Sequence, residues 1–253
     1  MNRYFIEVCY KGKGYAGFQV QDNAVTIQSE LESAMKILFQ EKIGLTGSSR
    51  TDSGVHSRQN YFHFDSALEI PMAKLYNLNA ILPPSIAVKH LRKMHEGAHC
   101  RFDAVSRKYL YTVYSEKDPF MEEDGYYFPY RLNLENMQAA AGVLLGRNDY
   151  SSFSKRNTQV NNFFCNILES HWHDEKGVYK YNVKANRFLR GMVRGLVGTM
   201  LQVGRGKISV DEFRQVILMK DSSRANFAVP GKGLCLMEVG FPEGYFENNL
   251  KEN

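Results

Sequence analysis

One polar, glycine-bounded segment carries the clearest candidate for chemistry in this sequence. It runs from Gly47 to His56 as G-S-S-R-T-D-S-G-V-H. Asp52, followed by Ser53 and Gly54, suits an Asx turn, in which a carboxylate accepts backbone N–H groups and stays ionised. Arg50 favours the same charged form. An ionised carboxylate in a loop is a candidate nucleophile, although most Asp-Ser-Gly sequences form turns and nothing more.

Three arginines have the spacing of one helical face. Arg187, Arg190 and Arg194 stand at i, i+3 and i+7 in a predicted helix from Arg187 to Val203. A row of guanidinium groups suits phosphates and could also neutralise a catalytic carboxylate by bidentate pairing. A helix whose arginines only meet solvent is equally consistent with this spacing. Gly198 and two other glycines of the helix predict close packing against a sheet.

Two tyrosines lie on one face of a predicted strand. Tyr109 and Tyr111 are two residues apart within Lys108–Tyr114, next to Arg107. An aromatic ring among cations could stack on an unpaired base. More often such a ring belongs to the core, with its hydroxyl satisfied at the edge.

A rival motif suggests zinc. The residues His95-Glu96-Gly97-Ala98-His99 match H-E-x-x-H, in which two histidines one helical turn apart bind the metal. The segment follows a predicted strand, contains a glycine and lacks a long amphipathic helix. The sequence therefore favours a site without metal, and a zinc hydrolase is the weakest alternative.

The positions of the charged residues along the chain are more informative than the net charge. The 253 residues are 43% hydrophobic, which is enough for a core, and the net charge is +5. No acidic residue occurs between Glu175 and Asp211, and between Glu41 and Asp65 the only acid is Asp52. Such stretches are typical of solvated basic faces or of nucleic-acid binding. Eight basic residues fill the first stretch: Lys176, Lys180, Lys184, Arg187, Arg190, Arg194, Arg205 and Lys207.

Cysteine spacing and hydropathy indicate the compartment. The four cysteines are far apart and form no C-x-x-C pair, which argues against a disulfide framework and a cysteine-rich zinc site. No apolar run has the length of a membrane span, and no export signal is recognisable. We therefore expect a cytoplasmic protein.

Hydrophobic periodicity predicts an α+β fold in which one pattern occurs twice. The first half, residues 1–103, has the order β-α-β-β-α-β, and the second half, residues 104–253, repeats it with one helix added. We expect two ferredoxin-like halves with antiparallel sheets joined into one extended mixed sheet, and helices packed on one side. The first half has strands at Tyr4–Tyr10, Ile43–Ser48, Gln59–Phe64 and Ile86–Leu91 and helices at Ile27–Phe39 and Met72–Ile81. The second has strands at Lys108–Tyr114, Phe164–Trp172, Val178–Lys184 and Leu234–Val239 and helices at Leu134–Leu145, Arg187–Val203 and Asp211–Met219.

Three motifs together resemble the TruA family of tRNA pseudouridine synthases. They are R-T-D-S-G-V-H at 50–56, H-C-R-F-D-A at 99–104 leading into R-K-Y at 107–109, and F-L-R-G-M-V-R at 188–194. They occur in the family's order, and the resemblance extends to Gly233-Leu234, so it covers nearly the whole chain. Against the family's G-R-T-D-A-G-V-H-A, the serines at 49, 53 and 57 replace a glycine and two alanines and leave the aspartate in place. The match also places His99 in the family's H-A-R-F block, which weakens the zinc alternative.

The resemblance implies a homodimer that converts uridines 38, 39 and 40 of the tRNA anticodon arm to pseudouridine, without metal or organic cofactor. It implies that Asp52 is the nucleophile, that Tyr109 stacks on the base and assists proton removal at C5, and that Arg194 pairs with Asp52. Arg50 is expected to help displace the target base, which must leave the stem to react. The residues expected to bind RNA or substrate are Arg50, Arg58, Lys155, Arg156, Arg187, Arg190, Arg205 and Leu234.

A non-catalytic RNA-binding protein on the same paired scaffold is the leading alternative. It would explain both basic stretches without using Asp52.

Overall fold

Ten β-strands and five α-helices form within residues 1–155, 160 and 162–247, the part of the chain that the computed structural model describes. The predicted α+β class is confirmed. No helix in these residues is long and apolar enough to cross a membrane. In chain order the elements are β1 (Asn2–Tyr10), α1 (Ile27–Phe39), β2 (Thr46–Gly47), β3 (His56–Ser66), α2 (Lys74–Ile81), β4 (Ile86–Met94), β5 (Ser106–Tyr114), β6 (Tyr126–Tyr127), α3 (Leu134–Gly142), β7 (Gly146–Asp149), β8 (Phe164–Glu175), β9 (Val178–Ala185), α4 (Met192–Gly204), α5 (Val210–Met219) and β10 (Leu234–Gly240).

Contacts divide the chain into two units. The first is Met1–Val105 together with the segment from Leu236 onward, and the second is Ser106–Cys235. The predicted halves, 1–103 and 104–253, stay a prediction about folding units.

The first unit is a sheet with two helices on one face. Its strands follow the order β4-β1-β3-β10, β1 is antiparallel to both β3 and β4, and β2 pairs with β3. Alternate β1 residues from Tyr4 to Tyr10 point into a core shared with α1 and α2, as the two-residue period of a strand requires. Helix α1 has the predicted bounds. It starts at a capping box formed by Thr26 and Ser29, which satisfies the first free N–H groups.

Aromatic side chains cover the other face of this sheet. Phe241 packs against Tyr61 and Tyr245, with ring centroids 5.1 and 4.8 Å apart, and both Phe241 and Tyr245 approach Phe5 at 6.3 Å. The Tyr245 hydroxyl donates to the Asp103 carboxylate at 2.6 Å. Residues from Leu236 onward therefore complete the first unit from both its edge and its outer face.

The second unit also places helices over a sheet. Its strand order is β5-β9-β8-β7 with antiparallel neighbours, and β6 adds to β5 in parallel, so the sheet is mixed. Trp172 and Tyr181 face each other across β8 and β9 and lie under the helices. The Trp172 indole N–H donates to the Met200 sulfur of α4, and its backbone N–H donates to Gln138 of α3.

Two predicted elements are four residues shorter than expected. The strand predicted at Ile43–Ser48 pairs with β3 only through Thr46 and Gly47, although Ile43 and Leu45 fill the core and so create the alternating pattern. The helix predicted from Arg187 begins at Met192. Gly191 before it has φ +73°, a left-handed conformation that no right-handed helix continues through.

Gly198 of α4 meets a loop and not a sheet, contrary to the prediction. A Cβ at this position would lie 2.1 Å from the carbonyl oxygen of Asn226. The Asn226 N–H donates to the Thr199 hydroxyl at 3.0 Å, which keeps that loop against the helix. Only a residue without a side chain permits this approach.

We therefore expect Gly198→Ala to lower the free energy of unfolding by about 1–3 kcal/mol, because the added methyl must push the loop away. Gly142→Ala in α3 is the matched control, since nothing lies within 4 Å of its Cβ position. It should raise stability by about 0.5–1 kcal/mol through helix propensity. Urea unfolding of both variants measures the difference, and equal effects would contradict the proposed clash.

Candidate active site

The loop that carries Asp52 is a tight turn entering β3. The Val55 N–H donates to the Asp52 carbonyl at 3.1 Å, and Gly54 takes φ +76°. That conformation at the third position is what a type II turn requires. Asp52 is half-buried, whereas Thr51 and Val55 on either side are buried. The backbone around the carboxylate is thus fixed in the core while the side chain reaches the surface.

The connection between β1 and α1 holds this turn from one side. The Phe18 N–H donates to the Thr51 carbonyl at 3.0 Å, and the Ser53 hydroxyl donates to the Tyr15 carbonyl at 3.1 Å. The Gly12 N–H donates to Nδ1 of His56 at 3.0 Å. Because His56 is buried and accepts through Nδ1, it joins the two loops at a fixed spacing.

Arg50 and Arg58 flank Asp52 in sequence and are both exposed. Arg50 lies in the loop between β2 and β3, and Arg58 lies near the start of β3. Their guanidinium groups are accessible to a charged ligand at the surface of the first unit.

Tyr109 lies in the second unit, on β5, and is 8% exposed. Its ring makes an edge-to-face contact with Phe188 at 5.1 Å and an interplanar angle of 90°. Phe188 follows β9, whose Val183 is opposite Tyr109 in the sheet. The ring is largely buried, as the core interpretation predicts, and its stacking on a base stays a prediction.

Arg194 lies in the first turn of α4 and is half-buried. Its Nε donates to the Val229 carbonyl at 2.9 Å. Burial raises the pKa of Tyr111, and the positive charge of Arg194 opposes that rise, so the two side chains are close. The Tyr111 hydroxyl donates to the Pro230 carbonyl at 2.8 Å. Arg194 and Tyr111 together hold the segment that precedes β10.

Leu234 follows that segment as the first residue of β10 and is buried. The neighbouring Gly233 packs on Tyr111, because a Cβ there would lie 2.7 Å from its ring. The predicted catalytic residues Tyr109 and Arg194 and the predicted substrate residue Leu234 thus lie on β5, α4 and β10, the elements around Tyr111.

The predicted arginine face is wrong for two of its three members. Arg187 and Arg190 precede α4, so only Arg194 is helical. The Arg190 carbonyl accepts the Lys155 N–H at 2.9 Å and is therefore not available to a helix. The left-handed Gly191 then turns the chain into α4.

The same break brings two cations together. The Lys155 side chain lies over Gly191, with methylene carbons 3.0 to 3.2 Å from where a Cβ would stand, and Arg190 is exposed next to it. Arg187 is half-buried and donates to the Asn162 side chain at 3.5 Å. Arg156 lies outside the described residues.

The remaining basic residues of the long stretch are dispersed. Lys180 pairs with Glu175 at the far end of the β8–β9 hairpin. Arg205 caps the C-terminal end of α4, about 20 Å from its first turn, and its guanidinium lies 3.8 Å above the Tyr130 ring. The acid-free stretch therefore does not form one continuous face.

The H-E-x-x-H residues lie in a turn after β4, so their i, i+4 spacing does not place His95 and His99 on one helical face. Nδ1 of His99 accepts the N–H groups of Arg101 and Phe102, which closes this turn. Within the described ranges no three His, Cys, Asp or Glu side chains are placed to hold a metal ion. The segment instead supports the fold through Asp103, which accepts the His99 N–H and the Tyr245 hydroxyl.

Sequence reasoning missed Tyr10 and Asn60, whose buried polar groups lie beneath the Asp52 loop. A signal was present. Asn60 interrupts an apolar alternation that continues at Phe62 and Phe64 of the same strand, and an amide at a core-facing position needs a specific partner.

Comparisons with known proteins identify the family of this chain. The family described as tRNA pseudouridine synthase matches residues 140–242. The chain is 43% identical over 250 residues to tRNA pseudouridine synthase A of Parabacteroides distasonis, covering 97% of this chain and 98% of the relative. It is 38% identical to the Bacteroides thetaiotaomicron protein of that name, over 100% of this chain and 96% of the relative. It is 40% identical to that of Bacillus subtilis, over 95% and 98%.

Identity at this level over nearly the full length of both chains shows that the proteins are homologous and do not merely share one motif. The chain belongs to the tRNA pseudouridine synthase A family.

Proposed function

We propose that this protein converts uridine to pseudouridine in tRNA, at positions 38, 39 and 40 of the anticodon arm, with Asp52 as the nucleophile. Membership of the family supports the reaction. The observation that carries the assignment to Asp52 is its loop, in which a half-buried carboxylate stands on a backbone fixed by buried neighbours. A carboxylate held in this way keeps its position when a substrate approaches.

The reaction moves one bond of the nucleotide. The bond between N1 of uracil and C1′ of ribose breaks, the base turns, and C5 bonds to C1′. The proton on C5 is lost and N1 takes up a proton, so that the product is an isomer of uridine. The Asp52 carboxylate assists either by adding to the uracil ring or by capturing C1′, and both routes release the enzyme unchanged. No oxidant, reductant or second substrate is required, and we propose that no cofactor takes part.

Tyr109 and Arg194 have separate parts in this proposal. The Tyr109 ring stacks on the base, and its hydroxyl assists proton removal at C5. Arg194 supplies the positive charge that favours an ionised carboxylate. Its pairing with Asp52, which the resemblance implies, stays a prediction.

Basic side chains, together with Leu234, form the proposed contacts to the RNA. Arg50 helps to displace the target base from the stem, and contacts to phosphates offset part of the cost of unstacking. We propose Lys155 and Arg190 as a pair of phosphate ligands, because a backbone hydrogen bond joins the two residues and the Lys155 side chain packs over the neighbouring Gly191. The other proposed contacts are Arg58, Arg156, Arg187, Arg205 and Leu234. We also propose that the protein acts as a homodimer in the cytoplasm.

We expect Asp52→Asn to abolish release of tritium from tRNA labelled at C5 of uridine, while affinity for tRNA stays within several-fold. The amide keeps the shape of the side chain and loses the nucleophile, and few phosphate contacts change. Asp22→Asn, at an exposed aspartate in the loop before α1, should retain full activity. Full turnover by the Asp52 variant would falsify the mechanism.

Arg190→Ala should weaken tRNA binding and reduce the slope of log affinity against log salt by about one unit, because one phosphate contact is lost. We expect the same for Arg187→Ala. Arg214→Ala is the matched control, since this exposed arginine of α5 pairs with Asp211. Binding titrations over a range of KCl concentrations measure the slope. An unchanged slope would remove Arg190 and Arg187 from the interface.

Pseudouridine mapping in tRNA from cells with and without this protein tests the choice of site. We expect the modification to disappear from positions 38, 39 and 40 and to persist elsewhere in the same tRNAs. Loss at another position, with these three unaffected, would refute the proposed specificity.

A further inference from the structure

Thr51, the residue before Asp52, is tied to the last residue of β1. Its hydroxyl shares a hydrogen bond with the Tyr10 hydroxyl, and the two oxygens are 2.9 Å apart. Both side chains are buried, with 8% of Thr51 and 4% of Tyr10 exposed. A hydrogen bond shielded from water in this way restricts the loop more than a surface contact would.

Asn60 of β3 connects this bond to the other side of the loop. Its amide nitrogen donates to the Ser49 carbonyl at 2.9 Å and to the Tyr10 hydroxyl at 3.2 Å, and its amide oxygen accepts the Tyr61 N–H at 2.9 Å. Asn60 is fully buried. One side chain thus holds Ser49 directly and Thr51 through Tyr10.

Packing alone does not require these polar groups. Phe62 and Phe64 occupy the next positions on the same face of β3 and fill the same core with apolar rings. Burying an amide and two hydroxyls costs free energy unless their hydrogen bonds are made. These groups are therefore explained by the residues that their hydrogen bonds hold in place. Here they hold the two residues on either side of Arg50.

We propose that Tyr10, Asn60 and Thr51 form a polar brace that orients the Asp52 carboxylate for its attack on the uridine. The three are positioning residues, because they act through the backbone of residues 49–51. From the opposite side, the Phe18 N–H donates to the Thr51 carbonyl. The hydroxyl and the carbonyl of Thr51 are therefore both held by hydrogen bonds. The inference rests on the proposed role of Asp52.

The test removes single hydroxyl groups without changing shape. Tyr10→Phe and Thr51→Val should each lower kcat by about 10- to 100-fold, as misplacement of a reacting group does, while KM for tRNA and tRNA affinity stay within about two-fold. Thr51→Ser retains the hydroxyl and should recover most of the lost rate. Single-turnover tritium release measures the chemical step without interference from product release.

The double variant identifies the bond itself. If Tyr10 and Thr51 act through their shared hydrogen bond, Tyr10→Phe combined with Thr51→Val should be no slower than the slower single variant. Rate losses that multiply would overturn the brace as a connected unit.

Tyr4→Phe provides the matched control. Tyr4 is a buried tyrosine on the same face of β1, and its hydroxyl accepts the Ile70 N–H at 3.0 Å, far along the strand from the Asp52 loop. It should lose stability comparable to that lost by Tyr10→Phe and keep kcat unchanged. An equal fall in kcat for Tyr4→Phe would reduce the brace to general stability and overturn the proposal.

Failure of the brace and failure of the proposed function give different results. Wild-type kcat in both single variants, with Asp52→Asn inactive, would reject the brace and leave the nucleophile in place. Full activity of Asp52→Asn would reject the proposed function, and the brace with it.

Discussion

The hydrogen bonds around Thr51 are the constraint on which the rest of the site depends. A carboxylate on a loop between two strands is useful as a nucleophile only if the loop does not move, and a polar, glycine-containing segment has little stiffness of its own. Here the Phe18 N–H, the Tyr10 hydroxyl and, through it, Asn60 fix the loop from two directions. The core strands and the loop that carries Asp52 are thereby held together as one body.

The second unit presents cations near the end of its sheet. A left-handed glycine separates the connection after β9, which carries Arg187 and Arg190, from the helix that carries Arg194. The first two point to the surface or its margin, whereas Arg194 turns inward to the Val229 carbonyl. One short sequence thus divides its arginines between the surface and the interior of the second unit, which a single helical face would not do.

Local patterns in the sequence predicted the elements, and long-range contacts account for what it did not predict. Helix α1 was predictable to the residue because its apolar spacing and the cap at Thr26 agree. The late start of α4 was not, because the apolar spacing continues through Gly191 and the competing hydrogen bond to the Arg190 carbonyl comes from Lys155, thirty-five residues before Arg190. Asp52 was found from its loop and its motif. Tyr10 and Asn60 were not, since their roles depend on two strands and a loop that meet only in the folded chain.

The return of the chain to its first unit has a consequence for synthesis. Residues 106–235 are made between Val105 and the strand and aromatic cover that complete the earlier sheet. During synthesis on the ribosome, the rings of Phe5 and Tyr61 stay exposed to water until Phe241 and Tyr245 have been made and pack against them. The first unit therefore completes its folding after the second unit has been made, although most of its residues are translated earlier. Until then it exposes apolar surface of the kind that chaperones recognise.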